Sequence, residues 1–286
     1  MRISTFVTSV AATLLLTASA SAQTVGVTDT SIKIGNTNPY SGPASVYSSI
    51  GKTIVAYFKA VNADGGINGR TIDLISLDDS YSPPRTVEQV RKLVEQEKVA
   101  FLFQTLGTPT NSAIHRYVNA KKVPHIFVAT GASKWGQPEK YPWTIGYQPT
   151  YDVEGEIYAN YVLANVENPK IAVLFQNDDY GKDYRDGFLR GLGDKADELV
   201  VKMLPYEVTD PTIDSQILEL AASGANVFFN ITIPKFAAKA IKITRKIVME
   251  SDAFKPYEPS ELRPGLDITD NEQLAIEAGQ FANHVF

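Results

Sequence analysis

Four stretches place polar residues at the ends of apolar runs: NTNPYSGPASVY (residues 36–47), QTLGTPTN (104–111), ATGAS (129–133) and QNDDYG (176–181). The first three carry no charge. The fourth adds Asp178 and Asp179 beside Tyr180. Backbone N–H groups in succession near a helix N-terminus form an anion site. Threonine hydroxyls add donors at the same edge, and glycine lets a ligand approach the main chain. Such tips hold a carboxylate without a full countercharge; they are suited to binding rather than to reaction. Ordinary turns favour the same residues, so one such tip says little. Three that open on one crevice say more.

Signatures of catalysis are sparse. His115, His125 and His284 are scattered, and His125 lies within an apolar run, as a hydrogen-bonded core histidine would. No spacing suits zinc or haem, so no cofactor is expected. Gly187, Gly191 and Gly193 do not form a dinucleotide fingerprint and fall within or at the end of a helical pattern. Ser49-x-x-Lys52 has the S-x-x-K form of penicillin-recognising enzymes but lacks SDN and KTG partners. A secreted α/β hydrolase using Ser49 and Lys52 is the alternative function it leaves open. The pairs Asp78-Asp79 and Asp178-Asp179 follow apolar runs and precede turns, where solvated turn acids or helix caps are expected rather than a metal site.

The elements that must carry these tips alternate. Strand-like runs at 32–35, 72–77, 99–103 and 123–129 are separated by helical patterns at 49–63, 84–97 and 110–120. Residues 135–151, with Pro138, Pro142 and Pro149 and a short strand-like piece at 143–147, interrupt the rhythm and read as a crossing between lobes. Alternation then resumes: helix 153–165, strand 171–175, helix 183–193, strand 200–205, helix 212–222, strand 227–231 and helix 235–245. This predicts an α/β fold of two similar Rossmann-like lobes with parallel sheets. The expected division is a signal peptide over 1–22, a first lobe over 23–148, a second, partial lobe over 149–246, and an atypical segment over 247–286.

The start of the chain, MRISTFVTSVAATLLLTASASAQT, has a basic residue, an apolar run and an A-x-A site before Gln23. It reads as a cleavable secretory signal. No later apolar run reaches spanning length, so no integral membrane segment is expected after cleavage. The absence of cysteine excludes disulfides, thiolate metal sites and a lipid-modified cysteine anchor, which suits an exported bacterial protein in the periplasm. A formal charge of −5 argues against nucleic acid as a partner.

SGPASVY (41–47), NADGGINGR (62–70), LGTPT (106–110), ATGAS and DDYGKDY (178–184) resemble the periplasmic binding proteins of branched-chain (Leu/Ile/Val) amino acid transporters, over residues 28–245. The resemblance implies a type I receptor whose lobes are joined by a hinge, close on a small-molecule ligand and deliver it to an ABC permease in the inner membrane. By matching position, Tyr47 reaches the ligand from the first loop. Gly107 and Thr108 take its carboxylate. Ala129, Thr130 and Gly131 offer backbone groups to carboxylate and ammonium, and Tyr180 closes over its side chain. Tyr40 and Thr232 would line the same cleft. The ligand this implies is a hydrophobic or branched amino acid, or a small aromatic or aliphatic carboxylate. A ligand-sensing receptor module of the same fold is a further alternative. Beyond Arg245 the pattern stops, so the acid that would neutralise an ammonium has no assigned position; Glu250 and Asp252 are the nearest acids. A partial second lobe would leave sheet edges and apolar faces exposed.

Overall fold

The computed structural model describes residues 24–250, with side chains through Lys246. The expected signal peptide, the side chain of Glu250, and residues 251–286 with Asp252 and His284 lie outside the described residues.

The first sheet contains β1 (Ser31–Asn38), β2 (Thr71–Asp78), β3 (Phe101–Phe103), β4 (His125–Val128) and β5 (Thr144–Gly146). All pairings are parallel, in the order β2-β1-β3-β4-β5. Parallel neighbours need crossovers: α1 (Ser48–Ala63), α2 (Pro83–Arg91) with a π-helical turn at Lys92–Gln96, α3 (Thr108–Ala120), and, from β4 to β5, a stretch with a 3-10 turn at Ser133–Gly136. Ile34 of β1 is opposite Leu74 and Phe101. The carboxyl half of β1 is polar yet buried. Asn36 donates from Nδ2 to the carbonyls of Phe103 and Gln104 at 2.6 and 2.7 Å and accepts from Ser76 Oγ at 2.9 Å. One side chain thereby fixes the ends of three strands, where the crevice opens.

The motif NADGGINGR ends α1 and starts β2. Gly66 donates to the Val61 carbonyl at 2.9 Å with φ +74°, and a Cβ there would run into the Arg70 carbonyl. Asn62 then holds Ile72 in both directions, accepting its N–H at 2.7 Å and donating to its carbonyl at 2.8 Å.

The second sheet has β6 (Ile171–Gln176) between β7 (Val200–Tyr206) and β8 (Val227–Ile231), again parallel. Its helices are α4 (Tyr151–Asn165), α5 (Asp179–Leu192), the short α6 (Ala196–Leu199), α7 (Asp214–Ala221) and α8 (Pro234–Glu250). β6 is buried along its whole length, as a central parallel strand requires. Tyr151 stacks on Tyr184 at 4.6 Å and Phe188 on Phe229 at 4.2 Å, joining α4, α5 and β8 in one aromatic core.

Two expectations shift. Residues 144–146 are not part of the crossing but the fifth strand of the first sheet, so the passage between sheets narrows to 147–150. α5 begins at Asp179 rather than near residue 183, because Asp178 caps it: its Oδ1 accepts the N–H groups of Tyr180 and Gly181 at 2.9 and 3.3 Å.

The glycines of α5 have a packing role. A Cβ on Gly187 would run into the Asp152 carbonyl, and one on Gly191 would lie 2.7 Å from Ala159 Cβ. Opposite them, a Cβ on Gly155 would lie 2.5 Å from the Tyr184 carbonyl. α4 and α5 therefore touch backbone to backbone. Gly187→Leu, despite leucine's better helix propensity, is expected to destabilise the protein by about 3 kcal/mol or more, since no side chain can yield there. Urea unfolding measures this; a neutral substitution would mean the helices are not in backbone contact.

Candidate functional site

Order reversal in a parallel sheet opens a crevice at the strands' carboxyl ends. In the first sheet the reversal falls between β1 and β3; in the second it falls between β6 and β8. The tips after β3 and β4 stay together beyond the sheet, since Leu106 and Ala129 form a further parallel bridge and the Ala129 N–H donates to Thr105 at 3.0 Å. Gly107 precedes α3 with φ +99° and ψ +142°, and a Cβ there would lie 2.5 Å from the Tyr81 ring and 2.7 Å from Thr110 Oγ1. Thr108 starts α3, whose first N–H groups have no intrahelical acceptor. The Thr108 and Thr130 hydroxyls bond each other, and Thr130 also bonds the Tyr151 hydroxyl at 3.0 Å. The Gly131 carbonyl accepts the Tyr151 N–H at 2.8 Å.

A buried network shapes this tip from behind. The Thr105 hydroxyl donates to Asn111 Oδ1 at 2.5 Å, which leaves it to accept from His125 Nε2–H at 2.5 Å. Asn111 Nδ2 donates to the Thr105 and Gly107 carbonyls at 2.9 and 2.7 Å. His125 is thus a core histidine that positions the loop. Burial pushes its pKa down to about 3. His115, packed between Trp135 and Tyr141, falls to about 4, chiefly through burial, with Lys134 and Lys140 adding to it.

The second sheet meets these tips with aromatic residues. Tyr81 and Leu106 of the first sheet's loops belong to one apolar cluster with Leu174, Tyr206, Ile233 and Phe236, and Tyr47 and Ala129 pack half-buried against it. Tyr180 is buried, lies 5.2 Å from the Tyr151 ring and donates its hydroxyl to the Thr232 carbonyl at 3.3 Å. Tyr206 donates to Gln176 Oε1 at 2.8 Å and accepts the Ile233 N–H at 3.0 Å; Gln176 Nε2 donates to Asp178 Oδ2 at 2.5 Å. Burial raises the phenols of Tyr47, Tyr81, Tyr151, Tyr180 and Tyr206 above their ordinary range, and the Asp178 charge adds to this for Tyr81, Tyr151 and Tyr206. They are neutral, and the hydroxyls of Tyr151, Tyr180 and Tyr206 are bonded to Thr130, Thr232 and Gln176.

Polar contacts also cross between the lobes beside the crevice. Lys134 Nζ lies 2.6 Å from Asp179 Oδ2, Ser112 Oγ donates to the same oxygen at 3.0 Å, and the Ser133 N–H donates to Asp183 Oδ2 at 2.7 Å. Burial opposes ionisation of Asp179, but Lys134 and Ser112 outweigh it and hold the carboxyl below its usual range.

Of the residues singled out in the sequence, the structure gathers Gly107, Thr108, Ala129, Thr130 and Gly131 at one edge, with Tyr47 and Tyr180 packed at the same junction. Tyr40 is turned away, bonding Ser76 at 2.6 Å against Gly51 of α1. Thr232 is buried, its hydroxyl spent on Asn230 at 2.9 Å. Ser49 and Lys52 are both exposed on α1, and the Ser49 hydroxyl turns to the Val46 carbonyl at 3.4 Å. The sequence reading missed Tyr81, Tyr151 and Tyr206, and gave Gln176 no role beyond opening its strand-end stretch. Each sits where a strand ends or a helix starts; extending the survey of strand ends to β2 and β7 finds Tyr81 and Tyr206. Among the described residues, no group of three His, Cys, Asp or Glu side chains is placed to hold a metal ion, and no helix is long and apolar enough to cross a membrane.

The profile of a family described as periplasmic binding proteins matches residues 31–247. An amino acid binding protein of Pseudomonas aeruginosa is 26% identical over 179 residues, 59% of this chain and 45% of that one. Leu/Ile/Val-binding protein homolog 1 of Brucella abortus is 26% identical over 203 residues, 69% of this chain and 53% of that one. Among solved structures, the fatty acid ABC transporter substrate-binding protein from Thermomonospora curvata superposes with a TM-score of 0.68 at 26% identity, covering 79% of this chain and 57% of that one. The chain spans about half the length of the curated relatives it matches.

Proposed function

The chain belongs to the periplasmic binding protein family, and from that premise we propose that it is the solute-binding component of an ABC transporter. It works in the periplasm, without catalysis of its own, on hydrophobic or branched-chain amino acids or related small carboxylates. The names of the relatives from Pseudomonas, Brucella and Thermomonospora support this range of ligands. The observation that carries the reading is the meeting of two uncharged tips, Gly107-Thr108 and Ala129-Thr130-Gly131, with buried tyrosines from the opposite sheet.

In this reading, the amides of Gly107 and Thr108 and the Thr130 hydroxyl receive the carboxylate, and Tyr47 and Tyr180 cover the apolar body. Residues 147–150 are the hinge between lobes spanning 23–148 and 149–246. Ligand contacts made by both lobes favour closure. The delivery partner is an inner-membrane ABC permease.

Titration of the full chain with a panel of amino acids and aliphatic and aromatic carboxylates tests it. Calorimetry and tryptophan fluorescence are the readouts, since Trp135 sits 5.6 Å from the ammonium of Lys134, which pairs across the lobes with Asp179. Saturable one-to-one binding without turnover is expected. Thr108→Val combined with Tyr180→Ala is expected to weaken it about 100-fold. Product formation, or no saturable binding by any solute of the panel, would refute the reading.

A further inference from the structure

We infer that the solute held in the cleft is a carboxylate without an ammonium group, a monocarboxylic acid on an apolar or aromatic body; this rests on the solute-binding reading above. An amino acid brings a cation into the crevice as well as an anion, and a desolvated ammonium needs an anionic partner. Among the described residues, the acids around the crevice are already committed. Asp79 is fully buried and accepts the Tyr81 N–H at 3.0 Å and the Thr86 hydroxyl at 2.9 Å. Asp78 accepts from Ser41 and Ser80. Asp179 holds Lys134 and Ser112, and Asp183 holds the Ser133 N–H.

Asp178 is the acid nearest to being available. It is the N-cap of α5, its oxygens accept two helix N–H groups and the Gln176 amide, and the positive end of the helix offsets its charge. Of the other side chains at the ends of β6, β7 and β8, Gln176, Tyr206, Asn230 and Thr232 are neutral, and Glu207, exposed beyond β7, accepts the Asn177 amide at 2.6 Å. The first charge after β8 is Lys235, a cation, directed at the Asp210 carbonyl at 3.3 Å. Amides, hydroxyls and un-ionised phenols thus line both sides. Among the described residues, the N–H groups of Gly107 and Thr108 and the Thr130 hydroxyl are the donors for a carboxylate, and the anion beside the tyrosines, Asp178, is tied to its helix cap and to Gln176.

Matched pairs test this on the unaltered chain by calorimetry: 4-methylpentanoate against leucine, and 3-phenylpropanoate against phenylalanine. Each pair differs by the ammonium alone. The acids lacking it are expected to bind at least about tenfold more tightly than their amino acid partners. Equal or tighter binding of the amino acid in either pair overturns the inference and leaves the solute-binding reading in place. Binding of none of the four also overturns it; the broader panel described above then decides whether the solute-binding reading falls with it.

Discussion

A Gly107→Ala variant loses at least about 100-fold in ligand affinity and about 2–3 kcal/mol in stability. Two effects act together. The backbone at φ +99° and ψ +142° is a conformation that alanine adopts only under strain. The added methyl also points at the Tyr81 ring and at Thr110 Oγ1, both closer than a real Cβ contact. Thr110 cannot swing away cheaply, because its hydroxyl donates to the Leu106 carbonyl at 2.5 Å and the Gly107 carbonyl at 2.9 Å. The tip must shift, and with it the amides proposed to hold the carboxylate. Gly69→Ala is the control: φ is +76°, but nothing lies within 4 Å of the added methyl, so it carries backbone strain alone. It is expected to cost about 1 kcal/mol and to leave affinity unchanged. Urea unfolding and calorimetry on both variants check this. Wild-type affinity in Gly107→Ala would remove the 107–108 amides from the site.

Acidification is the second large effect. His115 and His125 stay neutral in the folded chain, with pKa values lowered from 6.5 to about 4 and about 3. Below pH 6.5 the unfolded chain takes up protons that the native chain refuses, so stability falls as pH drops and keeps falling until the folded values are reached. With both groups acting, the slope approaches about 2.7 kcal/mol per pH unit between pH 6 and 4, a loss on the order of 5 kcal/mol. Asp79, Asp178 and Asp183, whose carboxyls are raised chiefly by burial, act in the opposite direction at the acid end of this window. The double variant His115→Gln, His125→Gln is expected to be less stable at pH 7 but to show a markedly shallower slope. An unchanged slope would place the proton uptake elsewhere.

The order of elements and the uncharged character of the tips were legible in the sequence, because apolar periodicity and turn residues are local properties. Partner choice across the sheets was less so. The strand at 144–146 is too short, and too close to three prolines, to reveal that it pairs with β4. Asp178 and Asp179 suit turns as well as helix starts, so a cap was expected there as one of two readings while α5 itself was begun four residues late. Tyr81, Tyr151 and Tyr206 are far apart in sequence, and only packing between the loops of the two sheets brings them to one junction. The packing use of Gly187 and Gly191 was not legible, because it depends on Gly155, from another helix.

That contact between α4 and α5 makes the pair a single lever. Helices separated by side chains can slide as rotamers change; these have no such slack. α5 runs 14 residues from the cleft at its Asp179 end to Leu192, a length of about 21 Å at the helical rise. A tilt of about 5° imposed where Tyr180 meets its neighbours would displace the far end by about 2 Å, with α4 carried along. Events at the mouth of the cleft are thereby felt on the outer flank without any intervening chain of side-chain rearrangements.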